Sequence, residues 1–246
     1  YKHSSGRRKL VRNLKRRIFK FSPKDCQIRG CLFTFLSTFV AYVLLGNLGL
    51  YFASLNQTVS PVWPAAGLGI GLVYAFGLPA LLGVFAGAFV VNMGVSIPLA
   101  AWISIGNASE AWIGAIVLAW FRARRFRLAH QSDLLAFGLA SIVGAVVSAT
   151  QGTLGLALFG ESAVREFSQI WLTWWVGDSL GGLLISPLIV LASRKRLGQI
   201  LSFRWVPPFL LLYVILVLTF YHFEGAAYVF TLFPALLWLI WRGGAY

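Results

Sequence analysis

Long apolar stretches without charge alternate with short polar, glycine or proline breaks from residue 31 to the end of the chain. A helix needs about 20 apolar residues to cross the hydrocarbon core of a bilayer, so the pattern predicts membrane-spanning helices. Eight are predicted: Cys31–Ala53, Pro61–Phe76, Leu78–Val95, Leu99–Phe121, Leu134–Phe159, Phe167–Ala192, Val206–Phe223 and Ala226–Trp241. The second and third are short and almost contiguous, so we expect them to form a tight hairpin.

Composition supports the same fold class, an all-α integral membrane protein. The chain is 59% hydrophobic and 11% charged, with a mean hydropathy of +0.78, whereas soluble domains carry about 25% charged residues. We therefore divide it into a basic N-terminal segment, residues 1–30, and a membrane domain, residues 31–246. The sequence contains no phosphate loop, no H-E-x-x-H and no nucleophile elbow. It predicts no enzyme and no cofactor.

Lysine and arginine predict the orientation of the spans, because these residues stay on the cytoplasmic side of short loops. Of the 21 basic residues, 11 precede the first span, and nine more follow the fourth, sixth and eighth spans. Only Arg165 falls on the other face. Eight spans with both termini in the cytoplasm satisfy this distribution. The net charge of +14 thus reflects membrane placement, and we expect no nucleic-acid partner.

This topology makes a direct prediction for reporter fusions. Reporters placed after Ala129 and after Leu197 should be cytoplasmic, and reporters within residues 56–60 and 162–168 should be external, because the basic loops stay inside. Alkaline phosphatase and green fluorescent protein fusions would measure this. A cytoplasmic reporter at residues 56–60 would contradict the whole scheme.

The N-terminal segment leaves two interpretations open. Leu10, Leu14, Ile18 and Phe21 lie on one helical stripe among cationic residues, which is typical of a helix lying on anionic lipid. The alternative is a solvated tail that only enforces orientation.

Metal-binding patterns are weak. Cys26 and Cys31 lie near the predicted reducing face, which argues against a disulfide, and two cysteines five residues apart do not make a metal site. His222 lies alone at a helix end beside Glu224. We predict no metal site.

Two carboxyl groups lie deep within predicted spans. Glu110 is the twelfth residue of the fourth span, and Asp178 is the twelfth of 26 in the sixth. An aspartate at the bilayer midplane costs about 2.5–3.5 kcal/mol on insertion scales, so each residue implies a partner or a purpose. Asn107 shares a helix face with Glu110, and Trp174 precedes Asp178 by one turn. We expect the carboxyls to face the bundle interior and to share a polar cavity with Asn107.

Three roles stay open for these residues. A carboxyl group between helices can serve as hydrogen-bonding glue, and the tryptophans near the outer boundary, Trp63 and Trp174 among them, can form an ordinary aromatic belt. The same residues can instead sense a small ligand or a proton, or line a transport path. Pro64 in the first turn of the second helix and the glycine series that starts at Gly67 are predicted to be structural.

Several short motifs occur in an order that resembles the first class of MASE domains, the bacterial membrane-associated sensors. They are Val62-Trp63-Pro64-Ala65-Ala66-Gly67, Gly87-Ala88-Phe89 with Asn92, Gly106-Asn107 with Glu110, Trp174-Trp175-Val176-Gly177-Asp178 with Gly181 and Pro187, and Phe233-Pro234 with Trp238. The resemblance covers about residues 31–246. It adds Trp63 and Asn92 to the candidate sensing residues, and Gly106, Gly177, Pro187 and Pro234 to the structural ones.

The resemblance implies a transmembrane input domain of the bacterial inner membrane. Such domains usually precede a cytoplasmic output in the same chain, a histidine kinase or a diguanylate cyclase, and often carry further hydrophobic sequence after the last motif, so the completeness of the eighth span stays open. The expected partners are lipid, a small ligand or a proton, and the output domain in cis, with a homodimer left open. The alternative function is a small transporter or channel.

Overall fold

Six helices form the part of the chain that the structure describes. The structure is a computed structural model and describes residues 28–51, 53, 60, 62–121, 131–159 and 166–193. Its helices are α1 (Ile28–Tyr51), α2 (Pro64–Phe76), α3 (Leu78–Asn92), α4 (Ile97–Trp120), α5 (Gln131–Leu158) and α6 (Phe167–Ala192). They correspond to the first six predicted spans. The seventh and eighth spans, Pro234, and nearly all of the basic N-terminal segment lie outside the described residues.

Four of these helices, α1, α4, α5 and α6, are long and apolar enough to cross a membrane. The other two, α2 and α3, have only 13 and 15 residues, which at about 1.5 Å per residue is roughly 20 Å each. Gly77 alone joins them, with φ 71° and ψ −139°. A residue with a side chain rarely adopts this positive φ, so glycine permits the predicted tight hairpin.

Proline and aspartate help to define where helices begin. Proline occupies one of the first two positions of α2, α3 and α4, where its missing N–H would have no intrahelical partner anyway. Asp133 lies in the first turn of α5, where its negative charge complements the helix dipole. The fifth helix, α5, therefore starts at Gln131, before the predicted start at Leu134.

The short helix α2 lies at the centre of the described bundle. It packs against α1, α3, α4 and α6, while α5 packs against α4 and α6. Residues 65–71 of α2 are all buried, as expected for a helix that is apolar on every side. By contrast, α1 exposes Leu36, Val40, Leu44 and Leu48 along one stripe. Such an apolar exposed stripe is typical of a lipid-facing helix.

A line of glycines brings α2 and α6 into backbone contact. We call Gly67, Gly71, Gly177 and Gly181 the glycine seam. A Cβ atom on Gly67 would overlap the carbonyl oxygen of Gly181, and one on Gly71 would lie 2.6 Å from Cβ of Ile189. The backbone N–H of Trp63, just before α2, donates a 3.0 Å hydrogen bond to the carbonyl oxygen of Gly177. Small residues thus let the two helices approach closely.

The two remaining structural candidates behave differently. Gly106 of α4 faces Gln151 of α5, where an added Cβ would make ordinary contact at 3.5 Å, so its lack of a side chain is not required there. Pro187 lies buried inside α6. Because proline has no N–H, the carbonyl group of Leu183 lacks its usual helical partner.

One expectation about cysteine is wrong. Cys31, near the start of α1, is disulfide-bonded, and its partner lies outside the described residues. The predicted redox compartment bears only on whether a disulfide persists. Whether one forms also depends on the fold bringing two thiols within bonding distance, which is a separate geometric requirement.

Candidate functional site

A small cavity lies among the helices near the end of the bundle at which α2 begins. We call it the polar cavity. Its lining residues are Ser60, Trp63, Asn92, Ile103, Asn107, Trp174 and Asp178. They come from α3, α4, α6 and the segment that leads into α2. The cavity has room for about one water molecule.

Glu110 lies beside this cavity, next to Asp178. Each of the two residues is only 1% exposed, and each carboxyl group is close enough to the other for a direct electrostatic interaction. They belong to α4 and α6, which both pack against α2 and α5. The carboxyls therefore meet in the space that these four helices enclose, as the depth of both residues in the sequence predicted.

The carboxyl pair is not fully satisfied by hydrogen bonds. Both oxygens of Glu110 and Oδ2 of Asp178 are buried without a well-formed hydrogen bond to any described residue. The two side chains nevertheless interact with each other and with Ser148 of α5, and Asp178 also interacts with Trp174. A buried polar atom left unpaired costs about 1–3 kcal/mol. Because the carboxyls interact with each other and with Ser148, hydrogen-bonding glue stays open as a role for the pair beside sensing.

Two asparagine side chains at the cavity each make one hydrogen bond to a described residue. The side-chain amide of Asn92 donates to the carbonyl oxygen of Ala88 at 2.8 Å, which leaves its own oxygen as an acceptor. Oδ1 of Asn107 accepts a long hydrogen bond from Ser148 at 3.4 Å.

Two tryptophans form the walls of the cavity rather than a surface belt. Trp63 and Trp174 are each 7% exposed. Glycines make room for their rings: a Cβ on Gly49 would lie 2.6 Å from the ring of Trp63, and one on Gly152 would overlap the ring of Trp174. The aromatic-belt interpretation of these two residues is therefore not supported by their burial.

Tyr42 is a cluster residue that sequence reasoning missed. Its side chain is 1% exposed, its hydroxyl accepts a 3.4 Å hydrogen bond from Nε1 of Trp63, and it interacts electrostatically with both carboxyls. A signal was present in α1, because Tyr42 lies on one face with Thr38, Gly46 and Gly49. A polar and small stripe in an otherwise apolar helix indicates an inward face.

The structure thus brings all six candidate sensing residues together. Five of them, Trp63, Asn92, Asn107, Trp174 and Asp178, line the polar cavity, and Glu110 adjoins it. Their role in sensing stays a prediction. Among the described residues, no group of three or more His, Cys, Asp or Glu side chains could hold a metal ion, so the cluster does not resemble a zinc site.

Comparison with known proteins gives one result. The sequence model of the MASE1 family matches residues 32–245. No curated protein and no solved structure matches. Because the family match covers nearly the whole chain, the protein belongs to MASE1, a family of membrane-associated sensor domains.

Proposed function

We propose that this chain is the transmembrane input domain of a bacterial signalling protein, and that the polar cavity is its sensing site. The observation that carries the proposal is the pair of buried carboxyls, Glu110 and Asp178, which interact directly with each other at the edge of a cavity. Ionisable residues within membrane spans commonly mark a functional site. The domain acts in the inner membrane and signals to a cytoplasmic output domain in cis, a histidine kinase or a diguanylate cyclase.

The cavity is suited to control helix packing because its walls belong to separate elements. Trp63 precedes α2, Asn92 ends α3, Asn107 belongs to α4, and Asp178 belongs to α6. A small ligand in the cavity contacts several helices at once, and a proton bound by one carboxyl changes the interaction of that carboxyl with the other. Either one shifts the equilibrium between two packings by the difference in its affinity for them, and the shift passes to the output domain.

Conservative substitution of the carboxyls tests this proposal. A chimera carrying a diguanylate cyclase after Tyr246 is expressed in cells, and cyclic di-GMP is measured over a range of external pH and salt composition. Asp178→Asn and Glu110→Gln are expected to fold and to lose the response. Asparagine and glutamine still bridge helices by hydrogen bonds, so glue alone predicts no change.

Glu166→Gln is the matched control, because Glu166 is an exposed carboxyl at the start of α6 away from the cavity. It should respond like the parent. Unaltered responses in both cavity variants, with normal amounts in the membrane, would contradict the proposal. A flux assay with the chain in liposomes separates the transporter alternative, for which rapid ion flux is the expected result.

A further inference from the structure

Glu110 and Asp178 lie side by side without a positive charge near them in the described bundle. Their side chains are within hydrogen-bonding reach of each other. Arg29 is the only lysine or arginine in the described ranges, and it lies in the exposed first turn of α1. Two carboxylates in contact in a buried site cannot both be ionised, because like charges at this distance repel strongly. One of the two carboxyls therefore holds a proton.

A shared proton also accounts for the unpaired oxygens of the pair. An ionised carboxyl group only accepts hydrogen bonds, so two carboxylates have nothing to donate to each other. Oε1 and Oε2 of Glu110 and Oδ2 of Asp178 are buried without a hydrogen-bond partner in the described part of the chain. A single proton turns one group into a donor and gives one oxygen on each side its partner. Such charge-assisted hydrogen bonds are short and strong.

The surroundings place the proton on Glu110 rather than on Asp178. The indole N–H of Trp174 interacts with Asp178, and an N–H donor stabilises the ionised form of a carboxyl group. Ser148 interacts with both side chains and does not distinguish between them. Glu110 packs closely against α5, where its Cγ lies 3.1 Å from the position of a Cβ added to Gly144. Glu110 is thus the donor, and Asp178 is the acceptor.

The other titratable side chains on the surrounding helices do not alter this assignment. Tyr42 of α1 interacts electrostatically with both carboxyls, but a tyrosine hydroxyl is neutral near pH 7. Tyr74 of α2 packs against an apolar cluster, and α3 carries no titratable residue. Asp133 lies in the first turn of α5, 11 residues before Gly144, which is roughly 16 Å along the helix. The remaining ones lie at helix ends and are Arg29, Tyr51 and Glu166.

The size of the polar cavity favours a proton over a larger stimulus. The cavity has room for about one water molecule, so an organic molecule does not fit without rearrangement of the bundle. Asp178 is the only titratable residue that lines it, and Glu110 adjoins it. The cavity lies near the end at which α2 begins, which the distribution of basic residues predicts to be external. A proton from outside therefore meets Asp178 first.

We propose that the ligand of this sensing site is the proton, and that Glu110 and Asp178 bind a single one between them, with Glu110 as the donor and Asp178 as the acceptor. When the external pH rises, the proton passes to water at the cavity and two carboxylates remain in contact. Their repulsion favours a packing in which α4 and α6 lie further apart. The inference rests on the proposed function, because it names the ligand of the same site.

Infrared spectroscopy of the purified full chain in lipid nanodiscs tests the proposal, because a protonated carboxyl group absorbs separately from a carboxylate. The parent should show a protonated-carboxyl band at neutral pH that disappears as the pH is raised. Glu110→Gln should lose the band. Asp178→Asn should keep it but lose it at a pH lower by about one unit or more, because no neighbouring charge then holds the proton. Glu166→Gln and Asp133→Asn should match the parent.

Thermal unfolding gives a second readout. The folded chain binds this proton more tightly than the unfolded chain, so the parent is stabilised at low pH and its Tm falls as the pH rises through the range in which the band disappears. Glu110→Gln has no such proton to lose and should not show this fall, whereas Glu166→Gln should. If one cavity variant fails to fold, the other decides. A parent without a pH-dependent protonated-carboxyl band, or a band that both cavity variants leave unchanged, would overturn the proposal.

The two proposals fail separately. If cyclase output responds through Asp178 and Glu110 but the pair holds no proton, the sensing function stands and the proton site is overturned. If the pair holds the proton but both cavity variants signal like the parent at every pH, the proton site stands and the sensing function is overturned.

Discussion

Gly181→Ala is expected to lower the stability of the bundle by about 3 kcal/mol or more, the upper part of the range for overpacked interiors. The added Cβ would overlap the carbonyl oxygen of Trp63, and a backbone atom cannot rotate away as a side chain can. The helices must separate, which also weakens the hydrogen bond from Trp63 to Gly177. Gly67→Leu should disrupt the same contact from the α2 side, because its side chain would overlap the carbonyl oxygen of Gly181. Unfolding by sodium dodecyl sulfate in mixed micelles measures the loss.

Gly138→Ala in α5 is the matched control for that experiment. Nothing lies within 4 Å of the position of its added Cβ, so the same chemical change meets open space. Because alanine has the higher helix propensity, the control should be neutral or stabilising by up to about 1 kcal/mol. Equal effects of the two substitutions would show that the glycine seam is not under steric constraint.

Trp63→Ala should have an effect of similar size, a loss of about 3–5 kcal/mol, as is typical when a buried aromatic ring is removed. Trp63 packs its ring against Gly49 of α1, and its backbone joins α2 to α6. Truncation therefore leaves a void where three helices meet and opens the polar cavity. Thermal unfolding in detergent, followed by circular dichroism, measures the change.

Two controls separate packing from hydrogen bonding in this prediction. Trp120→Ala removes the same ring from a position that is 70% exposed, and it should leave Tm nearly unchanged. Tyr42→Phe removes only the acceptor of the 3.4 Å bond from the Trp63 indole, so its cost should not exceed about 1.5 kcal/mol. If Tyr42→Phe were as damaging as Trp63→Ala, the hydrogen bond rather than the ring would hold this junction.

The helices could be predicted well from sequence because their boundaries have local causes. The sixth predicted span and α6 share the same limits, Phe167–Ala192, since Glu166 and Arg194 flank an apolar run in which Asp178 is the only acidic or basic residue. Differences occur where hydropathy is a poor guide to backbone conformation. The second helix starts at Pro64 rather than at residue 61, because a residue before proline is disfavoured in the helical conformation.

The candidate site was only partly predictable. Glu110 and Asp178 stood out because a carboxyl in an apolar span carries an obvious energetic cost. Ser148 and Tyr42 did not, since a hydroxyl group in a transmembrane helix is inexpensive and common. Their placement beside the carboxyls depends on which faces of α1 and α5 turn inward, and that is fixed by contacts between helices distant in sequence. The burial of Trp63 depends likewise on Gly49, 14 residues earlier.

The proline inside α6 makes one turn of this helix easier to bend than the others. Asp178 lies on one side of Pro187, and the end of the helix lies on the other. With the hydrogen bond to Leu183 missing, bending at this turn costs little, and proline is a usual cause of helix kinks. A movement of Asp178 relative to the last turn of α6 would therefore be accommodated most easily by bending at Pro187.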